Sequence, residues 1–247
     1  VMEQGWLVCE EGRVRDVYSV LPEELKGIPV EDMGDRLIIP GLTDLHIHAP
    51  QYTFRSLGMD MELLEWLETN TFPEESKYKD AEYAQKAYGM FAEQLKKSAT
   101  VRACIFGTIH NEATLILMDL LEEAGLHTMV GKVNMDRNSP DYLCEPSAEA
   151  SAQATREWLK AVADRKYKHT RPILTPRFTP SCTDELMELL KEIQTETHLP
   201  MQSHLSENPG EIAWVKELCP WSEFYGDAYD KFGLFGGDCP TVMAHCV

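Results

Sequence analysis

Apolar and polar positions change rhythm at Pro40. Before it, short alternating stretches at Trp6-Leu7-Val8-Cys9, Val14–Val20 and Arg36–Ile39, with a turn at Glu10–Gly12, read as strands and turns. Residues 1–39 are therefore expected to form part of a small β-sandwich domain. After Pro40, strand-like apolar segments fall at 42–48, 101–108, 128–135, 172–178, 200–205 and 241–247. Between them, 3.6-residue periodicity predicts helices at about 78–98, 111–125, 147–164, 183–197 and 209–219. Asn111 and Ser147 are the expected N-caps of two of these, and Gly125 suits the residue just past a helix end.

Strands alternating with helices predict a parallel sheet with helices outside it. The fold class is α/β, and two architectures compete. An open doubly wound sheet usually carries a Gly-rich phosphate loop after its first strand, which is missing here. A (β/α)8 TIM-type barrel places functional residues at the C-terminal ends of several strands. Six strands are two short of such a barrel. The expectation is thus a barrel spanning 40–247 and incomplete after its sixth strand, with the C-terminal strands missing.

Histidines supply the candidate chemistry. Pro40-Gly41-Leu42-Thr43-Asp44-Leu45-His46-Ile47-His48 ends an apolar run with two histidines one residue apart. Residues i and i+2 of a strand point to the same side, so His46 and His48 make a ready pair of metal ligands. His204 and His245 each close a short apolar segment led in by a proline, as a buried parallel strand reads. His110 follows the strand-like run at Phe106-Gly107-Thr108-Ile109 and is a candidate for the same mouth. Ordinary strand histidines remain the alternative for each.

Composition narrows the partners. The chain has 247 residues, 43% of them hydrophobic and 26% charged, as in a soluble globule. Its net charge of −18 repels phosphate backbones and anionic membranes, so neither nucleic acid nor membrane is an expected partner. No apolar run reaches the roughly 18–20 residues needed to span a bilayer. Seven scattered cysteines without Cys-x-x-Cys spacing argue against a disulfide framework and a thiolate metal site. A reduced, cytoplasmic location is expected, with Cys246 a core thiol.

The motif Pro-Gly-x-x-Asp-x-His-x-His, with histidines ending the fifth and sixth strands, resembles the amidohydrolase superfamily of metal-dependent barrel hydrolases. Four further stretches resemble its guanine deaminase branch: His46-Ile47-His48-Ala49-Pro50-Gln51-Tyr52, Leu64-Glu65-Trp66-Leu67 with Thr71-Phe72-Pro73, Thr175-Pro176-Arg177-Phe178, and Gln202-Ser203-His204-Leu205-Ser206-Glu207-Asn208. The resemblance implies one Zn2+, or alternatively Fe2+, held by His46, His48, His204 and His245. It also implies an aspartate ligand after an eighth strand, which has no counterpart within the 247 residues. No lysine occurs in 172–178 to bridge two metals.

The implied activity is hydrolytic deamination of guanine to xanthine and ammonia, in purine catabolism. A metal lowers the pKa of bound water from 15.7 to roughly 7, worth up to about 12 kcal/mol in forming hydroxide. By resemblance Glu207 is the general acid/base, Gln51 and Arg177 read the purine edge, Phe178 packs on the ring, and His204 and Glu207 also touch substrate. The residues alone leave alternatives open: Glu207 capping the helix that follows, Arg177 in a surface ion pair, Phe178 in the core. The long first loop, 49–77, carries Trp66 and Phe72 and reads as a lid or a subunit contact. A homodimer acting on guanine and water is expected. Rival functions are another deaminase or chlorohydrolase of the superfamily, or a non-catalytic fragment or scaffold.

Overall fold

The computed structural model describes residues 4–247. They divide between Pro40 and Gly41 into two compact units. In the first, β1 (Trp6–Glu10) and β2 (Arg13–Tyr18) pair as an antiparallel hairpin. Its turn uses Glu11 and Gly12, both with positive φ, as a tight hairpin requires. A single 3-10 turn follows at Glu23–Leu25. Arg36–Ile39, expected as a strand, has no regular structure. A strand needs a hydrogen-bonded neighbour, and none pairs with it among the described residues.

In the second unit, parallel strands alternate with helices. β3 (Leu42–His48), β4 (Thr100–Phe106), β5 (His127–Gly131) and β7 (Thr170–Pro172) form one sheet, in that order. β6 (Val133–Asn134) pairs with β8 (Thr175–Pro176), and β9 (Met201–Leu205) pairs with β10 (Thr241–His245). A parallel bridge from Leu174 to Met201 joins the two groups. Every one of these pairings is parallel. All five residues of β9 are buried, and its polar members are satisfied by backbone carbonyls: Gln202 donates to Ile105, Ser203 to Pro176 and His204 to Arg177.

Two expected strands are each interrupted. The 128–135 segment breaks at Lys132, and 172–178 breaks at Ile173 and Leu174. The cause is a change of partner: Ile173 donates its N–H to Val130, whereas Leu174 donates to Pro200. Gly131 sits where the strands crowd, since a Cβ there would lie 1.7 Å from the Thr175 hydroxyl.

The helices follow their sequence signals closely. The first two, α1 (Leu63–Trp66) and α2 (Phe72–Ser76), are short. α3 (Ala81–Lys96) is capped by Asp80, whose carboxylate accepts from the N–H groups of Glu82 and Tyr83. It buries Ala84, Ala87, Tyr88, Phe91, Ala92 and Leu95, one helical stripe. α4 (Asn111–Glu123) has its cap one residue earlier than expected. His110 is its cap, and Asn111 instead donates its amide to the carbonyl of Ala154. α5 (Ala148–Arg165) is capped by Ser147, and α6 (Asp184–Thr197) by Thr183. α7 (Pro209–Leu218) and α8 (Asp227–Asp230) complete the set.

Residues 49–77 are not one continuous loop. A 3-10 helix at Ala49–Phe54 is followed by turns and bends over 55–62, and from Leu63 α1, a π-helical turn at Leu67–Thr71 and α2 run on without a break. Apolar residues at helical spacing (Leu63, Leu67, Phe72) drive this packing. Cys246, expected in the core, is exposed, because β10 ends at His245 and the chain turns left-handed there. No helix among the described residues is long and apolar enough to cross a membrane.

Candidate active site at the strand mouths

β3, β9 and β10 deliver four imidazoles to one place. The rings of His46 and His48 lie 4.9 Å apart, His46 and His204 4.8 Å, and His46 and His245 4.9 Å. Candidate ligand nitrogens of His46, His204 and His245 all fall within 4.8 Å of one another. His48 joins them through its Nε2, 2.9 Å from the Nε2 of His204.

These nitrogens suit a divalent cation. The backbone carbonyl of Arg177 accepts from His204 Nδ1 at 2.5 Å, which fixes the tautomer and leaves Nε2 with a lone pair. The Nδ1 atoms of His46 and His48 are buried without a hydrogen-bond partner. Burial, then the neighbouring His245 and Arg177, lowers the pKa of His46 to about 4. Burial and mutual proximity hold His48 and His204 well below the ordinary imidazole value, and burial lowers His245 as well. Neutral imidazole is the form that ligates a metal.

Above the imidazoles opens a cavity of about 530 Å³, its open mouth included. Gln51, Leu63, Trp66, Leu67, Arg177, Phe178 and Glu207 complete its lining. Glu207 approaches His245 Nε2 to 3.4 Å. Burial, reinforced by the charge of Glu211, pushes the Glu207 carboxyl up to about 7. It does not cap α7: Asn208 is the N-cap, and Glu211 supplies the reciprocal carboxylate of a capping box.

Arg177 is not a surface residue. It is 2% exposed and paired with Glu75, and its Cζ lies 5.2 Å from the centre of the Phe72 ring. Phe178 is 5% exposed and belongs both to an apolar cluster and to the cavity wall. Gln51 reaches the lining from the 3-10 helix that follows β3. His110 does not line this cavity; burial, then Lys79 and Lys132, lowers its pKa to about 4.

Sequence reasoning missed Phe106 and Glu75. Phe106 stacks on His48 at 4.5 Å and meets His46 edge-on at 5.1 Å. Its signal was available: it ends β4, level with His48 on β3. Glu75 carried no signal, since its partner lies 102 residues along the chain.

Comparison with known proteins agrees with this geometry. The sequence profile of the amidohydrolase family matches residues 37–247. A guanine deaminase of Dictyostelium discoideum is 41% identical over 241 residues, covering 98% of this chain and 51% of that protein. The guanine deaminase of Escherichia coli K12 is 36% identical over 255 residues, covering all of this chain and 56% of the relative. The crystal structure of a C. acetobutylicum guanine deaminase, with guanine bound in its active site, superposes with a TM-score of 0.94. It is 47% identical and covers 98% of this chain and 57% of that one. The chain spans about half the length of the curated relatives it matches. Its α/β fold with parallel strands, and the match over the whole of the second unit, lead to one conclusion: the chain belongs to the amidohydrolase family, whose members are metal-dependent hydrolases.

Proposed function

We propose that the protein is a guanine deaminase, converting guanine and water to xanthine and ammonia. The observation that carries this is the placement of Glu207 beside four converging imidazoles, under a wall formed by Gln51, Arg177 and Phe178. Likeness to the C. acetobutylicum enzyme with bound guanine supports it.

His46, His48, His204 and His245 hold one divalent metal, Zn2+ in our reading with Fe2+ the alternative. When bound, it supplies Lewis-acid charge that makes water acidic near neutral pH. Glu207 does the proton work. Its carboxylate takes a proton from the attacking water and passes it to the ring nitrogen next to the amino-bearing carbon. Glu207 then moves the remaining proton of the added hydroxyl to the amino group; the carbon–nitrogen bond breaks, ammonia leaves, and that oxygen becomes the new carbonyl of xanthine. A carboxyl near neutrality suits both halves of that cycle. Arg177 donates to the oxygen at C6, Gln51 offers donor and acceptor together, and Phe178 packs against the ring.

The seven cysteines are all free, in keeping with a cytoplasmic enzyme, and a homodimer is the assembly we expect. The test is turnover by the full-length, metal-loaded protein of guanine, cytosine, adenine and ammeline, read as ammonia released. Guanine should be strongly preferred. Preference for another of these, or no turnover of any by metal-replete protein, refutes the proposal.

A further inference from the structure

The cavity wall contains a buried ion pair of which the deaminase chemistry above uses only one member, Arg177. Arg177 Nη1 donates to Glu75 Oε2 at 2.6 Å, and Nη2 donates to Oε1 at 3.1 Å. Glu75 is fully buried on α2, and Arg177 is nearly so, just after β8. A guanidinium carries five N–H donors in one rigid plane. The fork to Glu75 takes one donor on each Nη and leaves Nε and one N–H on each Nη. Among the described residues, no other hydrogen bond is made by the Arg177 side chain.

We propose that Glu75 is a positioning residue. It fixes the plane of the Arg177 guanidinium so that its remaining N–H groups meet the oxygen at C6, and it thereby sets the preference for 6-oxopurines. The proposal rests on the guanine deaminase reading and deepens it. A buried pair that only held the fold together could be replaced by apolar side chains at little cost. This pair keeps a donor-bearing plane against an open cavity.

Its support is itself anchored. The adjacent Glu74 accepts from Thr53 Oγ1 at 2.6 Å and from the Tyr83 hydroxyl. Thr53 belongs to the 3-10 helix that carries Gln51, and Tyr83 to α3. Successive helical side chains diverge by about 100°, so one turn of α2 grips two neighbours at once. The Phe72 ring, from the same turn, lies near the guanidinium.

The experiment compares guanine with 2-aminopurine, which has the reacting amino group but no oxygen at C6, in the full-length metal-loaded protein. 2-Aminopurine is followed as substrate or, if unreacted, as competitive inhibitor. Wild-type turnover of guanine checks the underlying reading separately. Glu75→Gln should lower kcat/KM for guanine by about 10–100-fold and change the 2-aminopurine constant by less than about 3-fold, with metal content unchanged. In an Arg177→Met background, Glu75→Leu should add no further loss of preference. Equal slowing of both ligands, or independent losses that add, overturns the proposal. Should Glu75→Gln not fold, Glu75→Asp decides, because it keeps the charge but withdraws the carboxylate by one methylene. A drop in guanine preference of at least about 3-fold is then expected, and an unchanged preference overturns the proposal.

Discussion

The imidazole wall of the cavity and the wall formed by Gln51, Arg177 and Phe178 are assembled by different means. The imidazoles ride on β3, β9 and β10, strands locked by parallel ladders. Arg177, Gln51 and Phe178 depend instead on the helical stretch between Ala49 and Ser76, gripped through Glu74 and Glu75. Damage to the first wall should therefore abolish the chemistry, and damage to the second should change what is recognised.

The largest effect tests the first wall. His204→Ala should lose tight metal binding and reduce deamination to background, read as metal per chain after gel filtration and as ammonia release. Full metal occupancy in that variant would mean the imidazoles are ordinary strand residues. Glu207→Gln comes next. It should keep its metal and fold while lowering kcat by about 10²–10⁴-fold. If more than a third of the activity survives, Glu207 is not the proton carrier.

How much of each wall could be read in advance follows the same division. Strand placement came from apolar segments closed by histidine: Leu42–His48 begins and ends where the pattern predicted, and β9 and β10 nearly so. A two-residue period and a leading proline are local signals, which one sequence suffices to show. The helical character of 49–77 was obscured because its residues serve three short helical forms in succession, α, π and 3-10, with no single period. The partner of Arg177 was invisible for a different reason. Glu75 reads as one acid among several on a polar turn until the fold brings it across the cavity, and long-range pairs leave no trace in local pattern. Glu211 shows the reverse case. Lying three residues past Asn208, it completes a capping box with that residue, which leaves Glu207 without the capping role that the residues alone allow it.

Arg177→Ala sharpens the second wall. It should weaken kcat/KM for guanine by about 10–150-fold, the worth of a hydrogen bond to a charged group. It should also destabilise the fold by about 3–5 kcal/mol, because Glu75 is left buried without its partner. Chemical unfolding beside steady-state kinetics checks both. A variant of wild-type stability would show that the pair is not the anchor described here.

The smallest effect concerns a histidine outside both walls. Burial, Lys79 and Lys132 together lower the pKa of His110 from 6.5 to about 4. The unfolded chain then binds its proton more tightly than the native one, so this histidine lowers stability as pH falls from 6.5 towards 4. His110→Gln should flatten the fall of the urea midpoint across that window and leave metal content unchanged. A steeper fall, or loss of metal, would place His110 in the site after all.

The central claim is that four imidazoles from three strands hold one metal beside Glu207. Its most direct test is an anomalous-difference map from crystals of the zinc-loaded full-length protein, recorded above and below the zinc absorption edge. One peak is predicted, about 2.0–2.1 Å from a nitrogen of each of His46, His48, His204 and His245. No peak among these rings in protein saturated with zinc, or a peak elsewhere with the four imidazoles unligated, would contradict the account.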